Sequence, residues 1–213
     1  MIKRMTLLQR RTDLSVQAFR DHWAKGHAQL ALSMDGVVKY TQNRIEEILA
    51  VIGSAETEDY APDGIVELYF SDPAAMARAQ QSETGRTLIP DDELQFLRGW
   101  TLCIVSTDGP HDHEGTKVMI PAALAPSVSP DDLKATLAAA RANTQTGLKA
   151  FSINLVSETA KRPRLWSEPT PPQLILVTWF GSLDAAHTFW SESASLKMFS
   201  KASACVSDQL VIR

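Results

Sequence analysis

The feature that most limits how this chain can fold is a pair of stretches that lie over each other at a constant offset. "GVVKYTQNRI" (36–45) lies on "GLKAFSINLV" (147–156), with Gly36 on Gly147 and Asn43 on Asn154. A second pair, "LYFSDPAAMA" (68–77) and "TWFGSLDAAH" (178–187), agrees one residue out of step. An internal repeat of about 110 residues is the economical reading, so whatever the first half builds, the second must build again. In the first half the periodicity gives a strand over about 2–9 and a helix from an N-cap at Ser15 to about Ser33. An extended run follows Gly36, then a polar turn region at 53–64 and the strand "IVELYF". Asp72-Pro73 opens a second helix to about Gln81, and "WTLCIVS" (100–106) closes the half. After a linker at 107–115, "TDGPHDHEG", the same order returns: "TKVMIPA", a helix from Ser129-Pro130, "GLKAFSINLV", "LILVTWF", a helix from Ser182 and "DQLVIR".

Each half is therefore a βαββαβ, ferredoxin-like unit, over 1–106 and 116–213. Helices cover one face of each sheet, and the other face must be buried too. Two sheets packing together solve that within one chain. The expected fold class is α+β: tandem ferredoxin-like repeats forming a pseudo-dimeric α+β barrel, with the second half as internal partner.

The 213 residues suffice for roughly 70% of the unfolded surface to be buried, so no staple is required. A net charge of −4 without blocks of like charge argues against nucleic acid or an anionic membrane as partner. The longest apolar run, "LILVTWF", is far too short to span a bilayer. The first residues lack the apolar core of a signal peptide, and Cys103 and Cys205 form no metal or redox spacing. A cytoplasmic, reduced setting is expected, with both thiols in the core. No GxGxxG, GxxxxGK[ST], HExxH or GxSxG pattern occurs, which speaks against nucleotide binding, zincin and hydrolase readings.

Chemistry concentrates in "FRDHWAKGHAQLA" (19–31). At about 100° per residue, Val16, Phe19, Trp23 and Leu30 form one apolar stripe, and His27 lies about 40° from Trp23 on it. His22 lies about 100° away, toward solvent. An inward histidine is either a packed core group or a general acid/base, since imidazole exchanges protons near neutrality. The second-half helix, "DDLKATLAAARANTQT", has no histidine or tryptophan, which favours a pocket in the first half only. Tyr40 repeats as Phe151, so the fold needs the ring but not the hydroxyl, and a phenol can donate to a developing oxyanion.

Other candidates carry blander readings. "HDHEG" (111–115) has ligand-like residues but sits in the linker, so no metal site is assigned. His187 shares a face with Leu183 and Trp190, which suggests packing, as for Trp179, Phe180 and Phe189. The basic "KRPRLW" (161–166) reads as a solvated loop. Glu67, inside a strand, needs a partner such as Arg44 or Lys39, or reaches the pocket.

These spaced residues resemble the start of EthD-like proteins of the dimeric α+β barrel superfamily. The family pattern runs through L-S-x-x-x-F, x-x-W-x-x-x-H and G-x-x-x-Y-x-Q-N. Here those positions are Leu14, Ser15, Phe19, Trp23, His27, Gly36, Tyr40, Gln42 and Asn43. The stretch 63–92 resembles the family's later D-G-x-x-E-x-x-F strand and helix. The family commonly has proline two residues after the histidine, where this chain has Gln29. The resemblance implies a pocket between the first helix and its sheet, in units that pair as dimers. It implies no single reaction, because related barrels include isomerases, cofactor-independent oxygenases and enzymes of aromatic polyketides.

The leading expectation is a small-molecule enzyme without a tightly bound organic cofactor. His27 and Tyr40 would be catalytic, and Trp23, Asn43 and Glu67 would bind substrate. Isomerisation, dehydration or cofactor-free oxygenation of an aromatic or lactone-like substrate would suit that chemistry. A non-catalytic module for a small hydrophobic ligand and a haem-binding barrel are the alternatives, and further pairing into homodimers stays open.

Overall fold

The computed structural model describes residues 1–53, 60–192 and 194–213; part of the expected turn region, 54–59, lies outside them. Eight strands form one closed barrel in the order β1-β3-β2-β8-β5-β7-β6-β4. They are β1 (Ile2–Arg10), β2 (Val37–Ile52), β3 (Gly64–Phe70), β4 (Leu97–Asp108), β5 (Thr116–Leu124), β6 (Leu148–Lys161), β7 (Leu174–Phe180) and β8 (Phe199–Val211). Every pairing is antiparallel, and the halves join twice, through β2–β8 and β4–β6. Closure leaves no sheet edge exposed, which is the physical gain of doubling the unit.

The helices are α1 (Val16–His22), α2 (Ala28–Leu32), α3 (Pro73–Gln81), α4 (Ile89–Phe96), α5 (Pro130–Ala142) and α6 (Leu183–Glu192). Their starts follow local chemistry. The Ser15 hydroxyl accepts from Ala18 N–H, Asp72 accepts from Ala75 N–H, and Ser129 and Asp132 form a reciprocal capping box. A π-turn, Trp23–His27, links α1 to α2, and another, Thr84–Leu88, leads into α4. The expected order has no element between 82 and 99, so α4 is an addition to it. The last strand begins well before its expected start because its first residues pair with the end of β2, Ala202 opposite Ile52. No helix among the described residues is long and apolar enough to cross a membrane.

The repeat is visible in geometry. Gly36 and Gly147 both take left-handed φ, +83° and +67°, where a Cβ would meet Ala75 and Ala185 respectively. Asn43 Nδ2 donates to the Ile65 carbonyl and Asn154 Nδ2 to that of Ile175, both at 2.9 Å. Strand alternation sorts side chains into three cores. Met5, Leu7, Ile65, Cys103, Met119 and Val177 fill the barrel interior. Leu8, Phe19, Trp23, Tyr40, Leu68 and Trp100 pack under the first-half helices, while Val118, Ile120, Leu133, Leu137, Phe180 and Trp190 pack under the second.

Candidate active site between the first helices and their sheet

The cleft begins with Trp23 at the π-turn. Its ring lies over Gly64, where a Cβ would come within 2.5 Å of Trp23 Cζ3, so glycine is what admits the indole. Trp23 Nε1 donates to Tyr40 Oη at 3.0 Å, and Gln42 Nε2 donates to the same oxygen at 2.9 Å. Gln42 also donates to the Trp23 carbonyl at 2.8 Å, clamping the π-turn to β2. Such turns interrupt helices mostly at functional places. With two donors on its oxygen, Tyr40 keeps its own proton to give. Burial pushes the phenol well above its ordinary range, against the opposing hydrogen bonds, so it stays neutral.

His27, also in the π-turn, places Nδ1 at 2.8 Å from Asp92 Oδ2, and His22 Nε2 lies 2.9 Å from Oδ1. One carboxylate of α4 thus holds both imidazoles, and both rings lie on Phe96, at 4.7 Å for His22 and 5.1 Å for His27. Burial would raise the Asp92 carboxyl, but the hydrogen bonds from His27 and His22 hold it below the usual carboxylate range. A charged Asp92 fixes the proton on His27 Nδ1 and leaves Nε2 as the basic nitrogen. His22 sits toward the rim, half-buried and paired with Asp92, and Val16 is exposed instead of completing the stripe.

His27 and Tyr40 line one small void of about 20 Å³, together with Arg4, Thr6, Met34 and Glu93. A neighbouring cavity of about 190 Å³ shares Arg4, Met34, Ile89 and Trp100 with it. Its outer wall comes from the second half. Arg162 Nε lies 2.7 Å from buried Glu93 Oε2, its guanidinium stacks 4.6 Å from the Trp100 ring, and Arg164 pairs with Asp91. The "KRPRLW" segment is thus tied to α4 through Arg162 and Arg164, while Lys161, Pro163 and Arg164 stay exposed as a solvated loop would have them.

Asn43 and Glu67 face the other way, into the barrel. Glu67 takes Lys3 Nζ at 2.7 Å and Lys117 Nζ at 2.6 Å, one from each half, instead of Arg44 or Lys39. Asn43 accepts from Lys117 and donates to Glu67. The structure therefore brings together His27, Tyr40 and Trp23 but not Asn43 and Glu67. His187 pairs with Glu47 at 3.2 Å rather than packing, His111 lies edge-on to Tyr69, and His113 bonds the Glu114 carbonyl. Among the described residues, no group of three or more His, Cys, Asp or Glu could hold a metal ion.

Asp92, Glu93 and Arg4 belong to the site without standing out in the sequence. Pro90-Asp91-Asp92 carries a helix-start signal that points to α4. Arg4 and Thr6 alternate with Lys3 and Met5 in "IKRMTLL", a strand buried on both faces yet polar on each.

Residues 11–99 match the model of the EthD domain. No curated protein matches the chain. Among solved structures, an anthrone oxidase-like protein aligns with a TM-score of 0.65 at 9% identity, over 99% of this chain and 93% of that one. A candidate chlorite dismutase aligns at 0.54 and 9% identity (98% and 96% covered), and a candidate monooxygenase from Fusobacterium nucleatum at 0.52 and 11% (100% and 92%). At such identities these likenesses establish a shared fold. Residues 11–99 thus resemble the EthD domain, within a barrel fold that this chain shares with those solved structures.

Proposed function

We propose that the chain is a small-molecule enzyme that runs acid/base chemistry in the first-half cleft, with His27 as general base and Tyr40 as oxyanion donor. The observation that carries this is the Asp92–His27 pair and the doubly held Tyr40 hydroxyl lining one void. His27 Nε2 takes a proton from carbon next to a carbonyl. The C–H electron pair moves onto the carbonyl oxygen, which the Tyr40 O–H meets, and Asp92 balances the imidazolium. Returning the proton elsewhere gives isomerisation, loss of a β-hydroxyl gives dehydration, and attack of the carbanion on dioxygen gives oxygenation. An aromatic or lactone-like substrate suits the Trp100, Met34 and Ile89 walls.

The test is solvent deuterium exchange, followed by NMR, on a panel of cyclic aromatic ketones, hydroxyketones and unsaturated lactones. The wild type should exchange the proton next to the carbonyl in at least one class, and His27→Ala should lose that exchange. Exchange that survives in His27→Ala, or none in any class, refutes the reading.

A further inference from the structure

Arg4 is the group that the acid/base reading leaves without a task. It is 9% exposed and projects from β1 into the space under the helices, lining both the small void and the larger cavity. Its Nε has no hydrogen-bond partner, and its guanidinium forms no ion pair among the described residues, resting only 5.9 Å from the Phe70 ring. The nearby carboxylate, Glu93, is taken by Arg162. Two positions along the same face, Thr6 is 1% exposed and its hydroxyl is also without a partner. Proteins rarely bury a cation and a hydroxyl side by side without partners, because each loses its hydration for nothing.

The second half shows that the fold does not need them. Arg4 sits opposite Leu68 in the β1–β3 ladder, and Val118 sits opposite Thr178 in the corresponding β5–β7 ladder. The repeat therefore has Val118 and Ile120 where the first half has Arg4 and Thr6. Both are fully buried against Leu133 and Leu137, which occupy the helix positions of Phe19 and Trp23 when the Ser15 and Ser129 caps are superposed. One half closes with hydrocarbon, while the other keeps a cation and a hydroxyl facing a void.

We propose that Arg4, with Thr6, is the anchor for a carboxylate on the substrate, so that the cleft selects ring-bearing monocarboxylates over their neutral analogues. This inference rests on the proposed use of the cleft. A planar guanidinium edge matches a carboxylate bidentately, and Met34, Ile89, Trp100 and Leu102 give an attached ring an apolar wall beside it. Burial, with Arg162 nearby, pulls Arg4 down to about 10, a strain on its charge that a bound anion would relieve.

The experiment compares binding of benzoate, salicylate and phenylacetate with benzamide and inorganic phosphate, by calorimetry and thermal shift on the whole chain. The wild type should prefer at least one carboxylate over benzamide by about tenfold or more. Arg4→Met should abolish that preference, Arg4→Lys should retain part of it, and unliganded Arg4→Met should melt no lower than the wild type. Equal binding of acid and amide, no carboxylate binding by the wild type, or phosphate bound as tightly through Arg4 would overturn the proposal. Wild-type discrimination alone decides the case if Arg4→Met fails to fold. His27→Ala separates the two readings: it should still bind the carboxylate after losing proton exchange.

Discussion

Removing the charge of Glu67 tests how the two halves are held together. The carboxylate is 3% exposed, with Lys3 from one half and Lys117 from the other on its two oxygens. Burial alone would raise its carboxyl, but Lys117 and Lys3 outweigh that and hold it well below the usual range. In Glu67→Gln the amide oxygen can accept from one ammonium while its NH₂ meets the other. The residual partners are Asn154 Oδ1 for Lys3 at 3.0 Å, and Asn43 Oδ1 at 2.8 Å and Gln209 Oε1 at 3.2 Å for Lys117. Leaving a buried charge without its counter-ion costs about 3–5 kcal/mol. For a chain of this size that is a fall in Tm of roughly 6–20 °C. Burial already pulls Lys3 down, with Glu67 opposing, so Lys3 in the variant should shed its proton on folding. Its folded pKa then lies further below the unfolded value, the unfolded state binds more protons, and stability rises with pH. Urea denaturation at pH 7 and pH 9.5 should therefore show the loss shrinking at the higher pH. A Glu67→Gln variant within about 1 kcal/mol of wild type at pH 7, or a loss independent of pH, refutes the account of Glu67 as the clip between halves.

Other perturbations read the cleft itself. Gly64→Ala drives a Cβ into Trp23 and should cost about 1–3 kcal/mol, with a shifted tryptophan emission; an unchanged spectrum and Tm would contradict the packing. Asp92→Asn should lower turnover about 10²–10⁴-fold with little change in benzoate affinity, because the amide no longer fixes the His27 tautomer. Since the folded Asp92 carboxyl lies below its unfolded value, its contribution to stability is full above the usual carboxylate range and is lost as pH falls through it; acid titration of wild type and Asp92→Asn should diverge there. Arg162→Ala leaves Glu93, 3% exposed, without its cation and frees the second-half loop, so protease cleavage near residues 161–166 should accelerate.

The parts of this molecule that were legible in its sequence are those written by local chemistry. Ser15, Asp72-Pro73 and Ser129-Pro130 announce helices, because a cap satisfies donors within its own turn. Gly36 and Gly147 announce the repeat, because each takes a backbone conformation that side chains resist. His27 and Tyr40 stood out because Phe151 occupies one equivalent place and the second helix has no histidine at all. What could not be read is set by distance. The π-turns break the 3.6-residue period, so a periodicity search carries one helix through Trp23–His27 without seeing the turn there, and misses the run leading into α4. Whether a strand side chain faces the helices or the barrel depends on closure: Glu67 and Leu68 are neighbours, yet one clips the barrel and the other lines the cleft. The same parity separates Lys3, which has a carboxylate, from Arg4, which has none. A single strand thus places one cation where the fold uses it and the next where the fold does not, and it is the second that points to a ligand.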